Sequence, residues 1–242
     1  LQMRRYLEET GTTREECASV VVKNRANALR NPGGVYGAKL EISDVLESAP
    51  VAEPLTELDC AGLADAAACV ILASEGFVKK KGLKDPVWIT GIGYCNDSPN
   101  LEVRQWTKSL ATEDAAKMAY KQAGIKDAAK EIDLFEIDDM FSYRELLHME
   151  SLGLCEPGKA GKMTKSGETM PDGRLPVNVS GGLLGMGNMI ELNGLYRLVD
   201  AVLQLRGLAG GHQIQKDIRR VLVHSWRGIP TETCCVTIVE RG

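Results

Sequence analysis

The chain has 242 residues, enough for one large domain or two of ordinary size, and its net charge of −4 at pH 7 argues against nucleic acid or an anionic membrane as a partner. No apolar run reaches the roughly 18 residues that span a membrane. The seven cysteines form no Cys-x-x-Cys pair, which argues against a zinc site built from this chain alone. Their odd number and scattered spacing favour the reduced thiols of a cytoplasmic protein.

Two helices are predicted at the start of the chain. Residues 1–10 have a helical pattern that ends at Gly11. Thr13 together with Glu16 forms the capping box that begins the second helix. Because Leu1 already lies within the first helical pattern, we expect the chain to be part of a longer protein.

A dense run of small apolar residues occupies Ala66–Ala73. Taken alone, the run fits either a buried strand or a helix, but its valine and isoleucine centre favours a strand that is buried on both faces. Ser74 and Glu75 then open a helix that ends at Gly82.

Strands and helices alternate from Pro86 onward. The predicted strands are residues 86–94, 132–137, 220–224 and 234–240. The predicted helices are residues 112–124, with Thr112 as the cap, 138–154 and 192–205. We expect the last two strands to pair in an antiparallel manner, joined by a glycine–proline turn. This order predicts an α/β fold of layered sheets with crossover helices, in which catalytic loops lie at strand ends.

The stretch Asn178–Gly194, NVSGGLLGMGNMIELNG, has the pattern of a strand that runs into a glycine turn and then into a helix. The glycines let the backbone approach another group closely, and the turn aims Asn188 at that group. We therefore expect this turn to form one wall of an active site. The alternative is that Asn188 serves only as a residue that tolerates a left-handed turn.

Three motifs, in this order and spacing, resemble those of the thiolase family: EIDDMF at 136–141, NVSGG with the later Gly-Asn, and HSWRG at 224–228. The similarity covers essentially the whole chain and is nearest to the sterol-carrier-type and archaeal members. It implies a thiolase fold with layered mixed sheets and crossover helices. Residues 1–85 would form the end of the N-terminal half of that fold, and residues 86–242 the C-terminal half.

The resemblance implies an acyl-CoA C-acyltransferase that cleaves or forms a carbon–carbon bond beta to a CoA thioester. In such enzymes a nucleophilic cysteine carries the acyl group, and oxyanion holes hold the thioester oxygens. We expect that cysteine to lie ahead of Leu1. Coenzyme A would be a substrate, with no bound cofactor and no metal. The resemblance also implies a homodimer and a small zinc-ribbon/OB-fold partner subunit.

The motifs depart from the family pattern at the catalytic positions. Asp138 stands where the family has the asparagine or histidine that positions a catalytic water or an oxyanion, and its neighbour Asp139 would raise one of the two carboxyl pKa values. Alternatively, Asp138 caps a helix with an acidic first turn. Asn188 replaces the family's histidine; it can donate a hydrogen bond but cannot act as a base.

The last motif carries further candidates. Ser225 falls at about the position of the family's proton-shuttling cysteine. Its neighbour His224 is a candidate general base or, alternatively, a packing residue at a strand end. Arg227 is a candidate contact for a CoA phosphate or a substrate carboxylate, or else one half of a surface ion pair. Cys234 and Cys235 lie inside the last predicted strand and are expected in the core.

The remaining candidates are substrate-binding residues on the same loops, namely Met140, Phe141, Met186, Gly187, Met189 and Gly228. The three methionines stand where smaller residues, or histidine and proline, are common in the family. Methionine side chains adapt their shape, which suits a bulky or aromatic acyl group.

Two other functions stay open. Loss of the basic histidine favours retro-aldol chemistry on the side chain of a CoA ester, without a cysteine nucleophile and with acid–base work by Asp138, Tyr143 or His224. The altered motifs also fit a non-catalytic subunit with a thiolase fold. An acyl-cysteine trapped in the full-length protein would favour the thiolase reaction over both.

Overall fold

The structure, a computed structural model, describes residues 1–228 and 232–242. The helices are α1 (Gln2–Thr10), α2 (Arg14–Ala28), α3 (Ile42–Leu46), α4 (Glu75–Lys81), α5 (Leu110–Ala123), α6 (Ala128–Glu131), α7 (Ser142–Ser151), α8 (Ala160–Lys165), α9 (Gly182–Met186) and α10 (Asn193–Leu205). The strands are β1 (Pro50–Ala52), β2 (Leu55–Thr56), β3 (Val87–Cys95), β4 (Leu134–Glu136), β5 (Arg220–Arg227) and β6 (Thr233–Arg241). Among the described residues, no helix is both long and apolar enough to cross a membrane.

The first two helices form where the sequence predicts them. α1 ends at Gly11, whose φ of 70° lies in the left-handed region. At the start of α2, the Thr13 hydroxyl accepts from the Glu16 N–H at 3.2 Å, and the Glu16 carboxylate accepts from the Thr13 N–H at 3.0 Å. The predicted capping box is therefore confirmed.

The predicted helix that ends at Gly82 is confirmed, whereas the predicted start of the next helix, at Thr112, is wrong. α4 has Ser74 as its N-cap and Gly82 as its left-handed C-cap. α5 is capped by Ser109 and not by Thr112, because the Ser109 hydroxyl accepts from the Thr112 N–H at 3.4 Å. Thr112 therefore lies inside the helix, where its hydroxyl contacts the sheet. α5 ends at Gly124, as predicted.

Within the described residues, four strands form a mixed sheet in the order β3–β6–β5–β4. β6 runs antiparallel to β3 and to β5, whereas β4 runs parallel to β5. The antiparallel pairing of the last two strands is confirmed. The glycine–proline turn predicted between them includes residues 229–231, which lie outside the described residues.

Helices cover both faces of this sheet. The Thr112 hydroxyl of α5 lies 3.2 Å from a ring nitrogen of His224, whereas Gly194 of α10 packs on Ser225. Because consecutive residues of a strand point to opposite faces, α5 and α10 lie on opposite sides of β5. This is the layered α/β architecture that the sequence predicts.

The prediction of a strand at Ala66–Ala73 is wrong. These residues form neither helix nor strand and are largely exposed, with relative exposures of 90% at Ile71 and 75% at Leu72. A strand needs backbone hydrogen-bond partners on a neighbouring strand. None of the described strands pairs with this run, so its apolar composition did not decide its conformation.

α7 begins four residues later than predicted, at Ser142, with Phe141 at its N-cap. Asp138 therefore does not cap a helix. The Asp138 carboxylate instead accepts from the Met140 N–H at 3.2 Å, which holds the residues before α7 in a turn. The loop that carries Asp138 and Asp139 thus lies outside the helix, at the end of β4.

A buried ion pair joins α2 to α7. Lys23 Nζ lies 2.7 Å from the Glu145 carboxylate, and both side chains are almost completely buried. The other Glu145 oxygen accepts from the side-chain amides of Asn24 and Asn178, each at 2.7 Å. These bonds offset the cost of burying the charge, and they attach the beginning of the glycine turn to both helices.

Lys23→Met would leave the Glu145 carboxylate buried without its cation. We expect this change to lower the free energy of unfolding of the full-length protein by about 3–5 kcal/mol. The matched control is Lys117→Met, which removes an exposed ion pair with Asp114 and should have little effect. Urea unfolding followed by circular dichroism measures both variants, and equal losses would contradict the role of the buried pair.

Candidate active site

A pocket of about 790 Å³ lies between the sheet and the first turns of α10. Of the predicted site residues, it brings together Met140, Asn188, Ser225 and Gly228. Cys235 also lines it, although the sequence pattern predicts a core position for this residue. Another cavity, of about 590 Å³ beside the end of α2, contains none of the predicted site residues.

Hydrogen bonds to its oxygen hold the side-chain amide of Asn188 in place, while its nitrogen stays available as a donor. Its Oδ1 accepts from the Ile190 N–H at 3.0 Å and from the Asn193 amide at 2.9 Å, which fixes the orientation of the group. Within the described residues, its Nδ2 has no hydrogen-bond partner, and the half-buried side chain lines the pocket. Asn188 does not have a positive φ, whereas Ile190, two residues later, has a φ of 58°, so the left-handed alternative for Asn188 is wrong.

The 60–64 segment joins two of the site loops, and no motif in the sequence singles it out. The Asn188 N–H donates to the Gly62 carbonyl at 2.6 Å, and the Asn188 carbonyl accepts from the Ala64 N–H at 3.0 Å. Another N–H of the segment donates to the Met140 carbonyl at 3.0 Å. The small residues within 60–64 were the signal that could have revealed this role. Small side chains let the Asn188 loop and the Met140 loop both approach the backbone of this segment.

Gly187 shapes the turn and does not line the pocket. Its φ is 98°, and a Cβ at this position would lie 2.5 Å from the Cβ of Ala64. Only glycine fits such a close approach of two backbones. Gly187 thereby allows the contact between the Asn188 loop and the 60–64 segment.

The other predicted residues lie outside the pocket lining. Phe141 stacks on Tyr143, with ring centroids 6.1 Å apart, and the Tyr143 hydroxyl donates to the Gln2 side chain at 3.2 Å. Met186 is buried in the interior. Met189 is half-buried and uses its N–H to bind the Asn193 side chain. Of the three methionines, Met140 reaches the pocket.

Asp138 and Asp139 are completely buried behind the pocket. The Nη2 atom of Arg197 lies between them, 3.4 Å from a carboxylate oxygen of Asp138 and 3.4 Å from one of Asp139. Asp139 also accepts from the N–H groups of Leu183 and Leu184, at 2.6 and 3.2 Å. Burial raises the pKa of Asp139 to about 6 against the opposing effect of Arg197, and the neighbouring Asp138 is only a minor cause.

His224 lies on the face of β5 that is turned away from the pocket, and it is completely buried. Its Nδ1 accepts from the Asp138 N–H at 3.3 Å, so Nε2 carries the proton and donates to the Thr112 hydroxyl at 3.2 Å. Burial, with the nearby guanidinium groups of Arg197 and Arg144, lowers the pKa of His224 to about 3. The ring is therefore neutral, with both nitrogens engaged.

Ser225 faces the pocket beneath the first turn of α10. A Cβ on Gly194 would lie 2.7 Å from the Ser225 Cβ, so the helix approaches the strand closely. Cys235 is the partner of Ser225 in the β5–β6 register and shares its face. The predicted core position is confirmed for Cys234 and wrong for Cys235, because adjacent residues of a strand point to opposite faces.

An exposed ion pair stands at the mouth of the pocket. Arg227 Nη1 lies 2.8 Å from the Glu191 carboxylate, with side-chain exposures of 71% and 68%. The structure therefore shows Arg227 as one half of a surface ion pair, which is one of the two alternatives for this residue. Exposed pairs of this kind are weak, so both groups can turn toward a bound ligand.

Glu136, the last residue of β4, attaches the glycine turn to the sheet. Its two oxygens accept from the Ser180 N–H at 3.1 Å and from the Ser180 hydroxyl at 2.5 Å. Burial, and next the nearby charge of Asp200, raise the pKa of Glu136 above its ordinary value of 4.5. The neutral carboxyl is therefore favoured in the folded protein.

Residues 93–241 match the family model described as thiolase C-terminal domain-like. This match covers more than half of the chain, which therefore belongs to that family. The three motifs that resemble thiolases lie within it, and the glycine turn with Asn188 is part of the matched region.

Curated relatives agree with this assignment. The chain is 34% identical over 224 residues to the benzoylsuccinyl-CoA thiolase subunit BbsB of Thauera aromatica, covering 93% of this chain and 58% of that protein. It is 37% identical over 216 residues to an acetyl-CoA acetyltransferase of Methanothermobacter thermautotrophicus, covering 89% and 56%. Sterol carrier protein 2 of Oryctolagus cuniculus is 35% identical over 214 residues, covering 86% and 39%. The predicted likeness to archaeal and sterol-carrier-type members is confirmed, and the chain spans roughly half the length of these relatives or less.

Solved structures share the fold. The structure of an Ltp2-ChsH2(DUF35) aldolase has a TM-score of 0.83 and 25% identity, and the match covers 99% of this chain and 62% of that one. Human mitochondrial 3-ketoacyl-CoA thiolase has a TM-score of 0.72 at 19% identity, covering 100% and 59%, and shows the fold alone. The predicted thiolase fold is confirmed.

The raised pKa of Glu136 predicts a pH dependence of stability. The folded state holds this proton more tightly than the unfolded state, so stability falls as pH rises above the ordinary carboxyl pKa of 4.5. Glu136→Gln keeps partners for Ser180 and removes the titration, and it should flatten this fall by up to about 1.4 kcal/mol per pH unit. Urea unfolding from mildly acidic to mildly alkaline pH measures the two slopes, and parallel curves would contradict the prediction.

Proposed function

We propose that this chain supplies one wall of an active site that cleaves or forms a carbon–carbon bond beta to a CoA thioester, as an acyl-CoA C-acyltransferase of the thiolase type. The observation that carries the proposal is the Asn188 amide. Its oxygen is fully used inside the protein, and its Nδ2 remains for a ligand in the pocket. The Ser225 hydroxyl lines the same pocket.

Two neutral donors that face one cavity suit an oxygen that gains negative charge during a reaction. When the carbon–carbon bond breaks, one fragment keeps the bonding electron pair as an enolate, and the charge resides on the thioester oxygen. Asn188 and Ser225 would donate hydrogen bonds to that oxygen. Because the amide is already fixed in place, it needs little reorganisation as the charge develops.

We assign positioning roles to His224 and Asp138. The His224 ring accepts from the Asp138 N–H, and the Asp138 carboxylate accepts from the Met140 N–H and pairs with Arg197. These contacts place the Met140 loop against the pocket. Both side chains act from behind the wall and do not line the cavity.

A bulky or aromatic acyl group is the substrate we propose, with coenzyme A as the carrier. The pocket volume of about 790 Å³ lies within the range of small-molecule sites. Met140 on its wall offers an adaptable apolar surface. The Thauera relative is named for benzoylsuccinyl-CoA, which supports an acyl group of this kind.

Retro-aldol cleavage of a CoA ester side chain is the second candidate. It is favoured by the position of His224, because no histidine lines the pocket within the described residues. A histidine base that could activate a cysteine is thus missing from this wall. The likeness to the Ltp2-ChsH2(DUF35) aldolase, at 25% identity, also favours it.

We further propose that the protein works with a second, smaller subunit. The Thauera relative is named as a subunit, and the name of the aldolase contains two components, Ltp2 and ChsH2. A zinc-ribbon/OB-fold partner, a homodimer and the division between residues 85 and 86 stay predictions from the family resemblance. A cytoplasmic location stays a prediction from the cysteines.

Two matched substrates separate the candidate reactions. A thiolase converts 3-oxo-3-phenylpropanoyl-CoA and free CoA into benzoyl-CoA and acetyl-CoA. A retro-aldolase converts 3-hydroxy-3-phenylpropanoyl-CoA into benzaldehyde and acetyl-CoA without free CoA. We expect the full-length protein, with any subunit that copurifies, to perform the first reaction, measured by mass spectrometry of the products. Benzaldehyde would instead establish the second, and neither product would favour a non-catalytic subunit.

Asn188→Asp tests the donor directly. The new carboxylate still accepts from the Ile190 N–H and the Asn193 amide, but it replaces the free N–H donor with a negative charge. We expect kcat to fall by about 10²–10³-fold while the melting temperature changes little. The matched control is Asn100→Asp, because Asn100 also uses its Oδ1 to accept a backbone N–H, that of Glu102, and lies in a loop outside the pocket. An unchanged kcat for Asn188→Asp would contradict the oxyanion role.

A further inference from the structure

One cation and one carboxylate line the pocket, and the proposed reaction has so far used neither. Among the described residues of the lining, Arg227 carries the positive charge and Glu191 the negative charge. The other lining side chains are apolar groups, amides, hydroxyls or a thiol. A CoA ester in this pocket therefore meets one guanidinium group that can bind an anionic substituent.

Arg227 lies close to the place where the thioester would react. It follows Ser225 by two residues on β5, so both side chains point to the same face of the sheet, with Cα atoms roughly 7 Å apart. The phosphates of coenzyme A are separated from the thioester by the whole pantetheine arm, whereas a substituent of the acyl group lies a few bonds away. The short separation favours a carboxylate on the acyl group over a CoA phosphate.

The Glu191 carboxylate shows that such an anion fits against the guanidinium group. Its Oε1 lies 2.8 Å from Arg227 Nη1. Both side chains are more than two-thirds exposed, so the ion pair is weak and opens at little cost. A ligand carboxylate that is held through two parallel hydrogen bonds, as guanidinium groups hold carboxylates, would replace it.

A strained turn holds Glu191 beside Arg227. The preceding residue, Ile190, has a φ of 58°, a left-handed conformation that β-branched residues rarely adopt. Its N–H donates to Asn188 Oδ1 at 3.0 Å, which ties the turn to the amide that faces the pocket. Strained backbone of this kind is concentrated at ligand sites. The position of Glu191 is thus coupled to the proposed oxyanion donor.

We propose that Arg227 determines specificity, and that the substrate is a CoA ester whose acyl group carries a second carboxylate, an inference that rests on the proposed function. In the free protein, Glu191 pairs with the guanidinium group. The substrate carboxylate takes the place of Glu191. A neutral acyl group cannot do so and leaves the ion pair closed at the mouth of the pocket. The pair thereby selects carboxylated acyl groups over neutral ones.

Matched aromatic substrates test this selection in the full-length protein. The neutral substrate is 3-oxo-3-phenylpropanoyl-CoA, and the carboxylated ones are its 3-carboxyphenyl and 4-carboxyphenyl analogues. The 3-hydroxy forms of the same esters serve if the protein is a retro-aldolase. We expect kcat/KM for cleavage to be at least about 10-fold higher for one of the carboxylated substrates.

The outcomes separate the inference from the proposed function. A wild type that cleaves the neutral substrate as well as the carboxylated ones, or better, overturns the inference and leaves the proposed function standing. A wild type that cleaves none of these esters overturns the proposed function, and the inference with it.

The two halves of the ion pair should show opposite effects. Arg227→Gln should lower kcat/KM for the preferred carboxylated substrate by about 10–100-fold, mainly through KM, because the lost contact lies away from the reacting bond. Glu191→Gln should raise it by about 2–5-fold, because the competing carboxylate is gone. A pair that only supports the fold would lower it in both variants, and that result would overturn the inference.

The matched control is Arg219→Gln. This change removes an exposed ion pair with Asp217 just before β5, at the other end of the same strand, and it should leave the preference for carboxylated substrates unchanged. Equal losses of kcat/KM for neutral and carboxylated substrates in Arg227→Gln would assign the guanidinium group to a CoA phosphate, which all of these esters share. That outcome would also overturn the inference.

Discussion

The buried carboxylate of Asp139 connects the parts of the chain that form the candidate site. It accepts from the N–H groups of Leu183 and Leu184 in the glycine turn. It also accepts from the Asn24 amide of α2 at 2.8 Å and lies beside Arg197 of α10. One side chain thus joins a helix that precedes the sheet to a turn and a helix that follow it. Because a buried charge without partners is very costly, these parts cannot separate without a large loss of stability.

This support explains how a loop can present a single amide donor with precision. The glycine turn is bonded to Asp139 on one side and to the 60–64 segment on the other, so the backbone of Asn188 has little freedom. Stabilisation of an oxyanion depends on donors that are in place before the charge develops. A turn held in this way suits the oxyanion role that we propose for Asn188.

The local sequence was sufficient to predict the end of a helix where the groups that form its cap lie close together in the chain. The capping box of α2 and the left-handed ends of α1 and α4 are examples, because each needs only a few neighbouring residues. The start of α7 was missed because the partners of Asp139 lie 44 or more residues away in the chain, on both sides of it. The strand predicted at Ala66–Ala73 failed for a related reason, since a strand exists only beside another strand.

The sequence by itself determined the fold family and the residue types at the site, because the motifs keep their order and spacing even where the catalytic residues differ. Tertiary structure alone decided which of those side chains meet. It gathered Asn188, Ser225 and Cys235 around one pocket and turned His224 to the other face of the same sheet. The alternation of a strand shows that neighbouring residues face opposite ways. Which face borders the pocket is set by helices packed from elsewhere in the chain, and no local pattern contains that information.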